Sequence, residues 1–249
     1  MAPRPRFSIV VPAHNEEVLL PRGLDAIASA VARCGLPAEI VVVANRCTDR
    51  TEAIAAAAGA VVVRDEERNI AATRNAGVAV STGEIVVTID ADTVMHPDAL
   101  AEVDRLIRTG ACVGGGCGLV LERNSLGLTV SKLVMRSVMT LMRSGAVMYW
   151  CLREDFDAIG GFDEKLLIAE DLDFARRLRR HGRTTNRRFR NIRRAPATVC
   201  VRKWDTYGDW HYFTLLGAAA MRARNPREAD ERLLNDYFYD FNARSHGAK

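Results

Sequence analysis

The chain has 249 residues, 48% of them hydrophobic, with 35 Lys and Arg against 31 Asp and Glu and a formal net charge of +4. That length buries one substantial core, and with no linker-like stretch in the sequence a single domain over 1–249 is expected. Lys132, Arg136 and Arg143 interrupt the mixed apolar stretch Leu126 to Trp150, so no segment reaches the roughly 20 apolar residues of a spanning helix.

The opening Met1-Ala2-Pro3-Arg4-Pro5-Arg6 is a short basic tail that runs into Phe7 to Val11. This apolar run is too brief for a leader-peptide core, so the expected location is cytoplasmic, with peripheral contact at the inner face of the membrane as the remaining membrane role. Phe7 to Val11 is the first expected strand, followed by a helix from about Glu17 to Arg33. Glu39 to Val43 is the second strand, and Thr48 to Ala58 the second helix, with Thr48-Asp49 as its start and Gly59 as its stop. Ala60 to Val63 is the third strand, Asn69 to Val80 the third helix, and Glu84 to Ile89 the fourth strand. Strand-length apolar runs alternating with helical patterns are the signature of a mostly parallel α/β sheet.

Two aspartates, Asp90 and Asp92, close the fourth strand, with Ala91 between them. Alternate residues of an extended segment point the same way, so they present two carboxylates at the carboxyl end of a buried strand, where open α/β sheets bind ligands. Paired hard oxygen ligands suit Mg²⁺ or Mn²⁺. A plainer reading is that Asp92-Thr93, followed by Pro97, begins the helix Asp98 to Arg108.

The later half is less regular. Cys112 to Leu121 reads as a Gly-rich strand whose triplet Gly114-Gly115-Gly116 marks a bend or close backbone approach. Leu126 to Met142 has a helical period and Ala146 to Leu152 reads as a strand. Glu170-Asp171 opens an Arg-rich helix, a position where acids also favourably meet the helix dipole. Ten arginines lie between Arg176 and Arg194; a solvated face, an anionic membrane surface, a lipid phosphate and a substrate diphosphate are the readings open, with nucleic acid last because no binding motif accompanies them. The six cysteines, Cys34, Cys47, Cys112, Cys117, Cys151 and Cys200, form no Cys-x-x-Cys pair and read as reduced structural thiols.

Read in order, Ser8-Ile9-Val10-Val11-Pro12-Ala13-His14-Asn15-Glu16-Glu17, Arg74-Asn75-Ala76-Gly77, Ile89-Asp90-Ala91-Asp92, Gly160-Gly161-Phe162-Asp163-Glu164 and Glu170-Asp171 resemble the inverting family 2 glycosyltransferases of the GT-A fold. The resemblance covers roughly Phe7 to Gly182, with a weaker tail to about Trp210. It implies a GT-A type, Rossmann-like mostly parallel sheet flanked by helices, with a smaller irregular acceptor-side region: a nucleotide-sugar-binding half in 1–110, an acceptor-side half in 111–215 and a C-terminal helical segment in 216–249. It also implies a nucleotide-sugar donor, by default a UDP-sugar, Mn²⁺ or Mg²⁺, a carbohydrate or lipid-linked acceptor hydroxyl, and a place in glycan or glycolipid synthesis of the bacterial type.

By the same resemblance Pro12, Ala13, His14, Asn15 and Glu16 line the nucleotide pocket, Asp90 lies nearer the ribose, and Asp92 is the metal ligand with Asp90 beside it. Arg74 and Asn75 pack beside that site, Asp171 is the base that takes the acceptor proton with Glu170 adjacent, and Arg202 and Trp204, flanking Lys203, lie near the diphosphate or acceptor. One departure matters: the acidic residue that usually follows the second strand and reads the base is replaced by Ala44, and Asn45 hydrogen-bonds a base only if the loop shifts, so guanosine and thymidine stay open beside uridine. The Gln of processive synthases is absent, which favours nonprocessive transfer. His211 is a second-choice metal ligand or a packed residue, the stripe Val134, Met135, Val138, Met139, Leu141 and Met142 reads as core or as membrane-skimming, and Arg227 to Phe241 reads as a packing helix. A nucleotidyltransferase, which lacks support from a Gly-rich basic first loop, and a noncatalytic nucleotide-sugar-binding module are the alternatives.

Overall fold

A computed structural model describes residues 4–123, 125–131, 133–134 and 146–210. They fall into two compact units, one drawn from Met1–Val120 with Ser144–Val199, the other from Leu121–Arg143 with Cys200–Lys249. His211 and the segment 216–249, with its expected helix, lie outside the described residues, as does the apolar stripe beyond Val134.

The first unit is a nine-stranded sheet in the order β3-β2-β1-β4-β7-β6-β9-β5, with β8 paired to β6. The strands are β1 (Phe7–Ala13), β2 (Ala38–Asn45), β3 (Val61–Asp65), β4 (Ile85–Ile89), β5 (Thr93–Val94), β6 (Cys112–Leu121), β7 (Ala146–Leu152), β8 (Arg188–Phe189) and β9 (Ile192–Val199). β3, β2, β1 and β4 run parallel, whereas β7 is antiparallel to both β4 and β6. The apolar runs of β1, β2 and β4 are nearly continuous because both faces of the sheet are covered. Their side chains divide by alternation: Ile9 and Val11 join one core with Leu20, Ile27 and Leu100, and Val10 joins another with Val43, Phe156, Phe162, Phe174 and Leu178.

Helices α1 (Leu20–Cys34) and α4 (Ala99–Arg108) cover the first core; α3 (Ile70–Val80), α5 (Arg153–Ala158) and α6 (Glu170–Thr184) cover the second. The short α2 (Thr51–Ala57) links β2 to β3. Chain order leaves β1 toward β2 on one side and β4 on the other, a topological switch point, beyond whose strand carboxyl ends open α/β sheets bind ligands. α3 lies close over β1 and β2 because Gly77 has no side chain: a Cβ there would stand 2.4 Å from Val10 Cγ1 and 2.7 Å from Val43 Cγ2.

Two element starts differ from expectation. Glu16 to Leu19 form a turn rather than the first turn of a helix, with Leu19 N–H and Leu20 N–H both donating to Glu16 O, and Pro21 then sits near the true start of α1. α2 begins at Thr51 rather than Thr48, because Thr48 and Asp49 bond to the loop after β1. The close approach expected of the glycine triplet is present: Gly114 has φ 148, and a Cβ on Gly115 would fall 1.6 Å from Arg190 O. None of the six cysteines is in a disulfide. Among the described residues no helix is long and apolar enough to cross a membrane.

In the second unit residues 126–131 are helical, and α7 spans Arg202–Tyr207. Arg123 pairs with Asp205 at 2.6 Å and with Asp209 at 2.8 Å, tying the two stretches of this unit together.

Candidate active site

The loop after β1 is stapled to the loop after β2. Pro12 and Ala13 are the buried last residues of β1, opposite Val43 and Ala44. His14 Nδ1–H donates to Asn45 O at 2.7 Å, which fixes the tautomer because a carbonyl only accepts. Asn15 adopts the left-handed conformation, φ 51, which asparagine tolerates better than most residues. Its Oδ1 accepts from Thr48 N–H at 2.8 Å. Glu16 N–H donates to Thr51 Oγ1 at 2.8 Å, and Glu17 N–H to Asp49 Oδ2 at 3.0 Å. The Cys47 thiol donates to Ala13 O between the two strand ends, and burial pushes it up to about 11.

Asn45 is buried with its amide nitrogen committed inward, donating to Asp65 Oδ2 at 2.8 Å and to Glu67 O at 2.7 Å. Asp65, at the end of β3, also accepts from Thr73 Oγ1 of α3 at 2.6 Å. With Ala44 apolar, Asp65 is the acid standing at the carboxyl end of the neighbouring strand. Sequence reasoning passed over it, although an acid closing a strand is the same signal that singled out Asp90.

Asp90 and Asp92 do not extend β4. Thr93 N–H donates to Asp90 O at 3.0 Å, so the two acids belong to a tight turn between β4 and β5. The period-two argument for a shared direction therefore does not apply to them, and the tight turn itself holds both at the strand end. α1 backs the turn closely, since a Cβ on Gly23 would lie 3.0 Å from Ala91 O. Both carboxylates are half-buried while Ala91 is buried. Among the described residues no group of three or more His, Cys, Asp or Glu forms a metal cage. Two aspartates are nonetheless a fitting donor set for Mg²⁺ or Mn²⁺, ions commonly bound by one or two carboxylates with water and substrate phosphates at the remaining positions.

Arg74 on α3 joins this turn to the start of α6. Its Nη2 donates to Asp90 Oδ1 at 2.8 Å and its Nη1 to Glu170 Oε1 at 2.5 Å, while the guanidinium lies 5.3 Å from the Phe162 ring centroid. Phe162 in turn stacks on Phe174 at 4.2 Å. Burial opposes the charge on Arg74, but Asp90, Glu170 and Asp171 outweigh it and hold the arginine more firmly protonated than usual. Asn75, its neighbour, grips the segment leading to α6: Nδ2 donates to Phe162 O and Oδ1 accepts from Phe162 N–H, both at 2.9 Å. Asn69, which caps α3 by accepting from Ala72 N–H, also donates to Glu164 O at 2.6 Å.

Glu170 and Asp171 begin α6 behind Ala169, whose φ of 62 is unusual for a residue with a Cβ. Burial pushes the Glu170 carboxyl up, with the Asp171 charge adding to it against the pull of Arg74. Burial likewise pushes Asp171 up, with Asp90 adding and Arg74 opposing. The two acids thus sit where holding a proton is easier than in water. Tyr149 of β7 reaches Asp171 Oδ2 with a long contact of 3.5 Å, and nothing in the local sequence marked it.

The first unit therefore brings together the loop 12–16, Asn45, Arg74, Asn75, the turn 90–92, Glu170 and Asp171. Arg202 and Trp204 belong to the second unit, in α7.

Residues 8–123 match the profile of Glycosyl transferase family 2. A PGL/p-HBAD biosynthesis glycosyltransferase of Mycobacterium bovis is 32% identical over 139 residues, 53% of this chain and 48% of that protein. Such alignments span 31% to 48% of the relatives' own length. Among solved structures, the mannosyltransferase of Pyrobaculum calidifontis in complex with GDP-Man and Mn²⁺ superposes with a TM-score of 0.63 at 22% identity, covering 83% of this chain and 60% of that one. Glucosyl-3-phosphoglycerate synthase of Mycobacterium tuberculosis, in complex with Mn²⁺, UDP and phosphoglyceric acid, does so with a TM-score of 0.57 at 21% identity, covering 87% and 78%. At these identities the structural likeness is one of fold, the GT-A fold. Residues 8–123 thus carry a stretch similar to the family 2 glycosyltransferases, on a sheet of the GT-A fold.

Proposed function

We propose that the chain transfers a sugar from a nucleoside-diphosphate sugar to an acceptor hydroxyl with inversion, using Asp171 as the base and a divalent cation held by Asp92 with Asp90 beside it. The observation that carries this reading is the bridge through Arg74, which joins the turn at the end of β4 to the start of α6 in a single cluster. An inverting displacement needs a proton acceptor near the nucleophile and neutralisation of the leaving diphosphate in one place. Burial strengthens Asp171 as a proton acceptor, and a basic group poised toward neutral pH is what general-base chemistry requires. When bound, Mn²⁺ or Mg²⁺ supplies positive charge against the departing diphosphate.

Arg74 keeps Glu170 paired, so that Asp171 is the less strongly held of the two acids. The acceptor is read as a carbohydrate or lipid-linked hydroxyl. Uridine is the default base, with guanosine and thymidine tested beside it because Ala44 cannot read a base and the Asn45 amide nitrogen is engaged with Asp65 and Glu67.

Calorimetric titration with UDP, GDP and dTDP, each with and without Mn²⁺, tests the donor site. Metal-dependent binding of one nucleotide, lost in Asp92→Ala, is the expected result. If a folded sample binds none of them, the donor-site assignment fails.

A further inference from the structure

Several exposed arginines in residues 1–110 pair with carboxylates, Arg33 with Asp98, Arg50 with Glu17, Arg64 with Glu52 and Arg105 with Glu102 among them. The surface made by α6 and the β8–β9 segment breaks that pattern. From Phe174 to Lys203 the sequence carries no Asp or Glu. Arg176, Arg180 and Arg183 on α6 are exposed, as are Arg188, Arg190, Arg193 and Arg194 beyond it, and among the described residues none of their side chains has a hydrogen-bond or ion-pair partner.

Spacings of four and three place Arg176, Arg180 and Arg183 on one face of α6, where like charges repel. The helix dipole accounts for a cation in the last turn but not for Arg176 at mid-helix. The two groups of arginines belong to neighbouring elements of the same unit. Arg179 lies over the Phe189 ring at 4.9 Å, Arg187 N–H donates to Gly182 O at 2.7 Å, and the Arg187 guanidinium is anchored on buried Asp155 at 2.5 Å. An ordinary solvated surface intersperses both signs of charge; this one concentrates a single sign on a rigid support.

We propose that this face docks on an anionic phospholipid bilayer. The α6 arginines alone extend over about 10 Å of helix, and the remaining four lie on further elements, a spread suited to many phosphates rather than one diphosphate. Guanidinium groups bind phosphate oxygens in pairs. A protein partner would look for an apolar anchor at the centre of its footprint, but the exposed large hydrophobic residues, such as Val18, Val61, Val120 and Leu126, all fall outside 170–199. A single-stranded nucleic acid would look for exposed aromatic rings to stack on, and the ring in this region, Phe189, is covered by Arg179. The inference stands independently of the donor-site assignment.

The test is co-sedimentation of the full chain with phosphatidylcholine vesicles, with and without phosphatidylglycerol, at low and high salt. Binding should require phosphatidylglycerol and be released by salt, since such attractions are screened within about 8 Å at physiological ionic strength. Each arginine near an anionic surface strengthens partitioning by roughly fivefold, so the combined Arg176→Gln, Arg180→Gln and Arg183→Gln variant should lose about a hundredfold. Circular dichroism of that variant, and of a second one carrying Arg188→Gln and Arg190→Gln, separates lost charge from lost fold. Absence of phosphatidylglycerol-dependent binding, or binding as strong as the wild type's by both folded variants, overturns the proposal. So does retention of a DNA oligomer as tight as that of the vesicles, which would move the partner to nucleic acid.

Discussion

The turn at the end of β4 and the start of α6 each offer a pair of neighbouring acids to the same arginine, yet their environments differ sharply. Asp90 keeps 34% of its side chain accessible while contacting Arg74, whereas Glu170 keeps 9%. Glu170 and Asp171 are both pushed up by burial. Carboxylates open to solvent suit an ion that arrives with its own phosphate oxygens and water. Buried carboxylates with a raised affinity for protons suit proton transfer. In the proposed reading one cation thus serves two acid pairs with different tasks, and its two partners, Asp90 and Glu170, differ in solvent access rather than in charge.

The largest break in that comparison should come from Asp171→Asn. Loss of a positioned general base typically costs 10²- to 10⁴-fold, so turnover should fall by about three orders of magnitude with nucleotide affinity unchanged; a variant that keeps turning over rules out Asp171 as the base. Arg74→Leu should be next, because removing one partner of a buried ion pair leaves the other charge stranded, at about 3–5 kcal/mol. Urea denaturation measures this loss, and an unchanged midpoint would show that the bridge is dispensable to the fold.

Gly77→Ala probes the platform rather than the acids. Its new methyl would have to displace Val10 Cγ1 from 2.4 Å, and overpacking of a tight core costs about 1–3 kcal/mol, read as a lower melting temperature. A wild-type melting temperature would mean that α3 can lift away from β1 freely.

The smallest expected effect sharpens the comparison through pH. For Asp171 the folded-state value is raised above the unfolded one, so the folded chain binds the proton more tightly. Its favourable contribution is complete below the ordinary carboxylate range and disappears as pH rises through the raised folded value. Above that value the ionised group is a burden on the fold. Asp171→Asn should therefore be more stable than the wild type near neutral pH, with the advantage shrinking as the medium is acidified. Denaturation curves across that pH series measure the difference, and a pH-independent gap between the two proteins contradicts the buried-acid account.

How much of this was legible in the sequence depends on how local each signal is. β1, β2 and β4 are continuous apolar runs, and a strand covered on both faces has to be one. Asn69 was legible as the start of α3 because a cap bonds within three residues, to Ala72 N–H. Asp49 does accept locally from Thr51 N–H, at the start of α2, but it also accepts from Glu17 N–H, and Thr48 N–H donates to Asn15, both more than thirty positions away in the chain. Asn45 was expected to read a base only if its loop shifts, and its amide nitrogen is engaged by Asp65 at the end of the next strand and by Glu67 just beyond it. Tyr149 was missed because its relevance comes from Asp171 on α6, whereas Asp65 did carry a local signal, an acid closing a strand.

By itself, the sequence determined the alternation of strand and helix, the placing of acids at the end of β4 and at the head of α6, and the uncompensated run of arginines, because periodicity, capping and charge composition act over a few residues. Only the tertiary structure decided that Asp90 and Asp92 sit in a turn rather than an extended segment. It also decided that Arg74 binds acids 16 and 96 positions away, and that Glu170 is buried while Asp90 is not. Hydrogen bonding and desolvation depend on which surfaces meet in space, and those meetings are made by the sheet order and by the close seat of α3 on β1 at Gly77.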